Sequence, residues 1–85
     1  MKLAPAQLKV LASSLFYYFR NLDRPPADEI YVPVDAIKPD RDEQNCYYAT
    51  VRFVVNYCGR KVHSTRIKLH IDNNGRFIPS NWSYV

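Results

Sequence analysis

The chain predicts an α+β fold, one N-terminal helix packed on a four-stranded antiparallel sheet, and three patterns in the sequence predict it. Apolar residues recur at helical spacing over residues 5–22, and two-residue alternation takes over from Cys46 to Ile71. An Asn74-Gly75 pair then separates the last two alternating runs. Eighty-five residues hold one core, so residues 1–85 form a single domain. At 47% hydrophobic and 14% aromatic the chain is too apolar for a disordered segment.

The helix comes first. Leu8, Leu11, Ala12, Leu15, Tyr18, Phe19 and Leu22 fill one stripe at about 100° per residue. Pro5 suits the first turn, where its missing N–H has no intrahelical partner to lose. Ala4 is a poor N-cap. Asp23-Arg24-Pro25-Pro26 ends the helix, because proline disfavours helical geometry in the residue before it.

Ile30, Val32 and Val34 alternate with Tyr31, Pro33 and Asp35 as a first strand, which Pro33 confines to an edge or a bulge. Residues 38–45 read as a polar loop. The second strand runs from Cys46 to Cys58, with Tyr47, Ala49, Val51, Phe53, Val55 and Tyr57 facing inward. On the third, His63, Thr65, Ile67, Leu69 and Ile71 share a face. Both inward sets are odd-numbered, so a two-residue turn would bury the wrong residues. A three-residue loop, Gly59 to Lys61, brings Phe53 opposite Ile67 and Arg52 opposite Lys68. Asn74-Gly75 reads as a type I′ turn, since both residues tolerate positive φ. It sets Ile71 against Ile78 and Ile67 against Trp82, with Ile78, Trp82 and Tyr84 toward the helix.

This order of elements resembles the cystatin-like arrangement, a helix gripped by an antiparallel meander. The glutamine-valine-glycine hairpin motif of inhibitory cystatins is missing from the sequence, so the resemblance implies architecture and no function.

Catalytic and cofactor chemistry is not expected. Cys46 and Cys58 stand twelve residues apart along one strand, roughly 40 Å when extended, whereas a disulfide needs Cα atoms within about 7 Å. Two reduced thiols suit a cytoplasmic location. Cys58 and His63 fall on opposite faces and make a poor nucleophile pair. His63 and His70 also point to opposite faces, so no metal site is expected. Asp40-Arg41-Asp42-Glu43 lacks the glycine and spacing of a calcium loop, and no glycine-rich phosphate cradle exists. The oily run Val10–Phe19 is too short to span a membrane and lacks a cleavage site after it. Asn81-Trp82-Ser83 matches a glycosylation acceptor, a pattern that matters only in a secreted protein.

Two surfaces remain. The net charge of +4 favours a partner bearing carboxylates or phosphates. On the face turned away from the helix, the expected register gathers Arg52, Arg66, Lys68 and His70 between Tyr48 and Phe77. Cations interleaved with rings suit an acidic protein or nucleoprotein surface, or a single-stranded nucleic acid whose bases stack on the aromatics. The expectation is a small non-enzymatic adaptor or inhibitor, a class that includes a virus- or plasmid-encoded inhibitor of a host nucleic-acid machine. The alternatives are direct single-stranded nucleic-acid binding and a structural, oligomerising role. Behind the helix, Val10 and Tyr17 lie on a stripe with Ala6 and Ser13, a secondary interface that would suit a homodimer.

Overall fold

The computed structural model describes residues 2–22 and 27–85. Helix α1 spans Pro5–Leu22 and buries Leu11, Ala12, Leu15 and Phe19. Leu8 and Tyr18 pack partly against the same core, while Leu22 at the helix end is half exposed. Alanine at position 4 has no side chain to cap with, and Gln7 compensates. Its Oε1 accepts the Ala4 N–H at 2.9 Å, which is one half of a capping box. Leu3, just before the helix, is buried with Leu8 on one core, the two positions of a hydrophobic staple. The Leu3 N–H also donates to the Tyr47 hydroxyl at 2.8 Å, tying the helix entry to the sheet. The expected stop signal at residues 23–26 lies outside the described residues.

The sheet runs in the order β1, β3, β4, β5, with the short β2 also paired to β3, and every pairing is antiparallel. β1 is Glu29–Tyr31, shorter than the strand expected from Ile30 to Val34. Pro33 cannot join a ladder, and the chain turns there into a 3₁₀ segment, Val34–Ala36, before returning as β2, Lys38–Pro39. β1 and β2 together make one broken edge along β3, so the loop expected to begin at Lys38 begins as strand.

β3 (Cys46–Val55) and β4 (Lys61–Ile71) form the central hairpin. Its turn holds five residues, Asn56 to Arg60, with Cys58 and Gly59 at positive φ (57° and 101°). The loop is odd but not the expected three residues Gly59 to Lys61, since Lys61 already pairs with Val55. The inward parity still follows, with Tyr47, Ala49, Val51, Ile67, Leu69 and Ile71 all buried. The register differs. Phe53 lies opposite His63 rather than Ile67, and Lys68 lies opposite Tyr48 rather than Arg52. This pairing collects Ile67 and Leu69 over Ala49 and Tyr47, within the core that also holds the buried helix residues. It leaves the exposed Lys61, Val62 and His63 beside the hairpin turn. Tyr57, expected inward, belongs to that turn and is 82% exposed.

The second hairpin also differs from expectation. Asp72 pairs with Arg76 across a three-residue loop, Asn73-Asn74-Gly75, in which Gly75 alone takes positive φ (80°). That is a type I turn closed by a left-handed glycine, not type I′. Asp72 organises it: one carboxylate oxygen accepts the N–H groups of Asn74 (2.8 Å) and Arg76 (2.9 Å). Beyond it, β5 (Phe77–Tyr84) pairs Phe77 with Ile71 and then, past an irregularity that contains Pro79, Trp82 with Leu69. The offset turns Phe77, rather than Ile78, toward the helix. Tyr18 and Phe77 meet edge to face at 5.3 Å, and the Trp82 indole N–H donates to the Tyr18 hydroxyl at 3.0 Å. Tyr84 leans on Trp82 at 5.0 Å but remains mostly exposed.

Gly75 sits against the helix entry. A Cβ there would lie 2.8 Å from Leu3 Cδ2 and 3.2 Å from Gln7 Nε2, on a backbone already at positive φ. Gly75→Ala should therefore lower unfolding stability by about 1–3 kcal/mol in urea denaturation. Truncating the fully buried Leu15 to alanine should remove about 2–5 kcal/mol. The Arg76 N–H, followed by that of Asn74, holds the Asp72 carboxyl below the ordinary aspartate range. Stability from a depressed carboxylate is present above its unfolded-state pKa and is lost as pH falls through the folded value. Asp72→Asn should thus lose less stability than wild type between neutral and strongly acidic pH, measured as urea midpoints.

Candidate functional site

Even-numbered residues of β3 and β4 project from the face opposite the helix. Across its middle, Tyr31 pairs with Arg52, Arg52 with Ser64, and Thr50 with Arg66. The neighbouring row is Lys38, Tyr48, Lys68 and Ser83. Arg52 and Arg66 are therefore diagonal neighbours, a placement with Cα atoms about 7–8 Å apart. The Arg66 guanidinium lies 5.2 Å from the centre of the Tyr48 ring.

Each end of this face is neutralised from within the chain. At the hairpin-turn end, Arg60 pairs with Glu29 at 3.0 Å, and the Tyr31 hydroxyl donates to the same carboxylate at 2.8 Å. Val54, next to Glu29 across the strands, is buried there although it points away from the helix. At the other end, the loop between β2 and β3 folds its acids back over the strands. Asp40 accepts the N–H groups of Asp42 (2.8 Å) and Glu43 (3.0 Å), which fixes the loop. Glu43 reaches Lys68 at 3.2 Å and His70 Nε2 at 2.6 Å, and Asp40 stands 3.8 Å from Lys68.

These contacts set the protonation of the group. The backbone donors of Asp42 and Glu43, then the Tyr48 hydroxyl, hold the Asp40 carboxyl low. His70, then Lys68, does the same for Glu43. The Glu43 carboxylate in turn raises the Lys68 ammonium, and the Asp40 hydrogen bond raises the Tyr48 phenol. Burial pushes the Cys46 thiol up.

The residues expected to form the basic face divide into three groups. Tyr48, Arg52 and Arg66 stand together on the open face, and the two arginines have no ion pair among the described residues. Lys68 and His70 share that face but are tied to Glu43. Phe77 does not belong to it, because the irregularity in β5 places its ring against Tyr18 on the helix side. The Arg52–Lys68 like-charge pairing does not form, since Ser64 occupies the position opposite Arg52. On the outer surface of α1, Val10 and Tyr17 are 61% and 59% exposed.

Some members of the site lay outside the expected set. Tyr31 was legible as an outward residue of the first strand, yet the position that brings it beside Arg52 depends on the edge pairing. Asp40 and Glu43 read as solvated loop residues, and only the backbone turn brings them over β4. Cys46 and Cys58 are free, the first buried at the start of β3 and the second exposed in the hairpin turn. No described helix is long and apolar enough to cross a membrane. Comparison with protein-family models, with curated proteins and with solved structures finds no match to this chain.

Glu43→Gln should bring the Lys68 ammonium down toward the ordinary lysine value, read by NMR titration of its side chain. A titration unchanged from wild type would remove Glu43 as the group that holds it.

Proposed function

We propose that the chain is a small non-enzymatic binding module, an adaptor or inhibitor, that docks the central band of its open sheet face on an acidic protein surface. The observation that carries this reading is the pair of exposed guanidiniums, Arg52 and Arg66, free of ion pairs among the described residues, between two ends that neutralise themselves. Guanidinium groups present planar, paired N–H donors that fit carboxylates in a bidentate manner. Arg66 is steadied by the Tyr48 ring, so less side-chain freedom is lost when it binds. Tyr31, 45% exposed beside Arg52, adds a rigid amphipathic ring of the kind enriched at interfaces. Two free thiols suit a reducing, cytoplasmic setting.

Single-stranded nucleic acid is the second reading, and the geometry favours it less. One face of the Tyr48 ring is already covered by Arg66, and Phe77 lies on the helix side, so two rings expected to stack on bases are engaged within the fold.

The test is affinity capture from cell extract with wild type and with Arg52→Glu/Arg66→Glu, each with and without nuclease. The expected result is a protein partner retained after nuclease and weakened at least about tenfold by the charge reversal, as like charges at an interface are strongly unfavourable. Capture lost on nuclease treatment, with log affinity falling linearly in log salt, selects the nucleic-acid reading. Undiminished capture by the double variant overturns both.

A further inference from the structure

The corner where the loop between β2 and β3 meets β4 brings together donors that the face described above does not use. Cys46 and His70 stand directly opposite each other on β3 and β4, and Glu43 reaches them from the loop. One donor atom from each of the three lies within 4.8 Å of the other two. We propose that Glu43, Cys46 and His70 form a three-ligand site for a zinc-class divalent cation, with water or an external ligand in the fourth position.

Four independent features converge on this site. The first is distance. Zinc bonds of about 2.3 Å to sulfur and 2.0 Å to nitrogen or oxygen put tetrahedral donors roughly 3.3–3.5 Å apart. That is a modest rearrangement of donors that now lie within 4.8 Å of one another, with the 2.6 Å Glu43–His70 contact opening to admit the ion. The second is donor chemistry: thiolate, imidazole and carboxylate together select zinc or cobalt over magnesium or calcium, which take oxygen. Glu43 and Cys46 are also separated by two residues, a spacing common in zinc-binding loops.

The third feature is an unfilled valence. His70 Nδ1 is buried with no hydrogen-bond partner, the one such side-chain atom among the described residues, while Nε2 meets Glu43. A metal bond to Nδ1 would fill that valence and fix the tautomer, with the proton on Nε2, which solvent can reach once Glu43 turns to the ion. The fourth is support. Cys46 and His70 sit on paired strands, the Cys46 carbonyl accepts the Asp40 N–H at 2.9 Å, and Asp40 holds the Glu43 backbone. A cavity of about 120 Å³ lined by Pro39 to Cys46 leaves room beside the cluster for the ion's fourth ligand.

The charges and protons balance. On binding, the Cys46 Sγ–H bond breaks, the proton goes to solvent, and an Sγ–metal bond forms with no change of oxidation state. Glu43 turns from His70 to the ion. Its carboxylate and the thiolate neutralise the dication, while Lys68 keeps Asp40, now 3.8 Å away, as its counter-ion. The bound ion would pin the loop to β4 at the end of the open face, apart from Arg52 and Arg66.

The probe is Zn²⁺ itself, titrated calorimetrically into reduced, chelator-treated protein, with Co²⁺ as a spectroscopic substitute. The expected result is one ion per chain and, with Co²⁺, the sulfur charge-transfer band and strong visible absorption of a tetrahedral thiolate site. Glu43→Gln and His70→Asn, changes at partly exposed positions, should each weaken Zn²⁺ binding at least about tenfold. Cys46→Ala should abolish the sulfur band, whereas Cys58→Ala and His63→Ala should change neither readout. Absence of stoichiometric binding, unaltered affinity in Glu43→Gln and His70→Asn, or loss of the band in Cys58→Ala would each overturn the site.

Discussion

The pairing of β3 with β4 is the constraint on which the rest of the structure depends. Ala49 opposite Ile67 and Tyr47 opposite Leu69 build a fully buried floor, and Leu11, Leu15 and Phe19 complete the core from the helix. Ala49 beside Ile67 sets small against large across the strands, as close packing favours. Because side chains alternate, fixing which residues meet beneath the helix also fixes which meet on the far side. Tyr48 with Lys68, Thr50 with Arg66 and Cys46 with His70 are consequences of how the core closes.

That far side is an electrostatic surface edited by its own chain. A strand face bearing Arg52, Arg66 and Lys68 would repel itself if left bare. The fold answers at the margins, where Glu29 takes Arg60 and Glu43 takes Lys68 and His70. The centre is left cationic. Exposed ion pairs of this kind contribute little stability, with a median near 0–1 kcal/mol. Their larger effect is on shape of charge, concentrating the unspent donors of Arg52 and Arg66 into one narrow band. The same back-folded loop that quiets Lys68 carries Glu43 to Cys46 and His70.

Much of this architecture was legible in the sequence. The 3.6-residue stripe specified α1, and the described helix begins at Pro5, where the missing N–H suited the first turn. Alternation gave the inward faces of β3 and β4, and Pro33 marked the broken edge. Register was not legible, because it rests on a turn in which Cys58, a residue with no special tolerance for positive φ, adopts it beside Gly59. Asn74-Gly75 marked a hairpin, but the Asp72 side chain selected a longer loop than the dipeptide suggests. Of the open face, Tyr48, Arg52 and Arg66 followed from parity alone. The carboxylates over Lys68, the position of Tyr31 and the Cys46–His70 pair depend on pairing and loop geometry, which local pattern does not encode. Phe77 was misplaced for a related reason: the irregularity that includes Pro79 shifts the facing of β5 partway along.

Cross-strand backbone NOEs in solution test the central pairing most directly. The β3–β4 register predicts contacts joining Val51 to Thr65, Tyr47 to Leu69 and Cys46 to His70. Contacts joining Phe53 to Ile67 and Arg52 to Lys68 instead would place like charges face to face, separate Cys46 from His70, and contradict it.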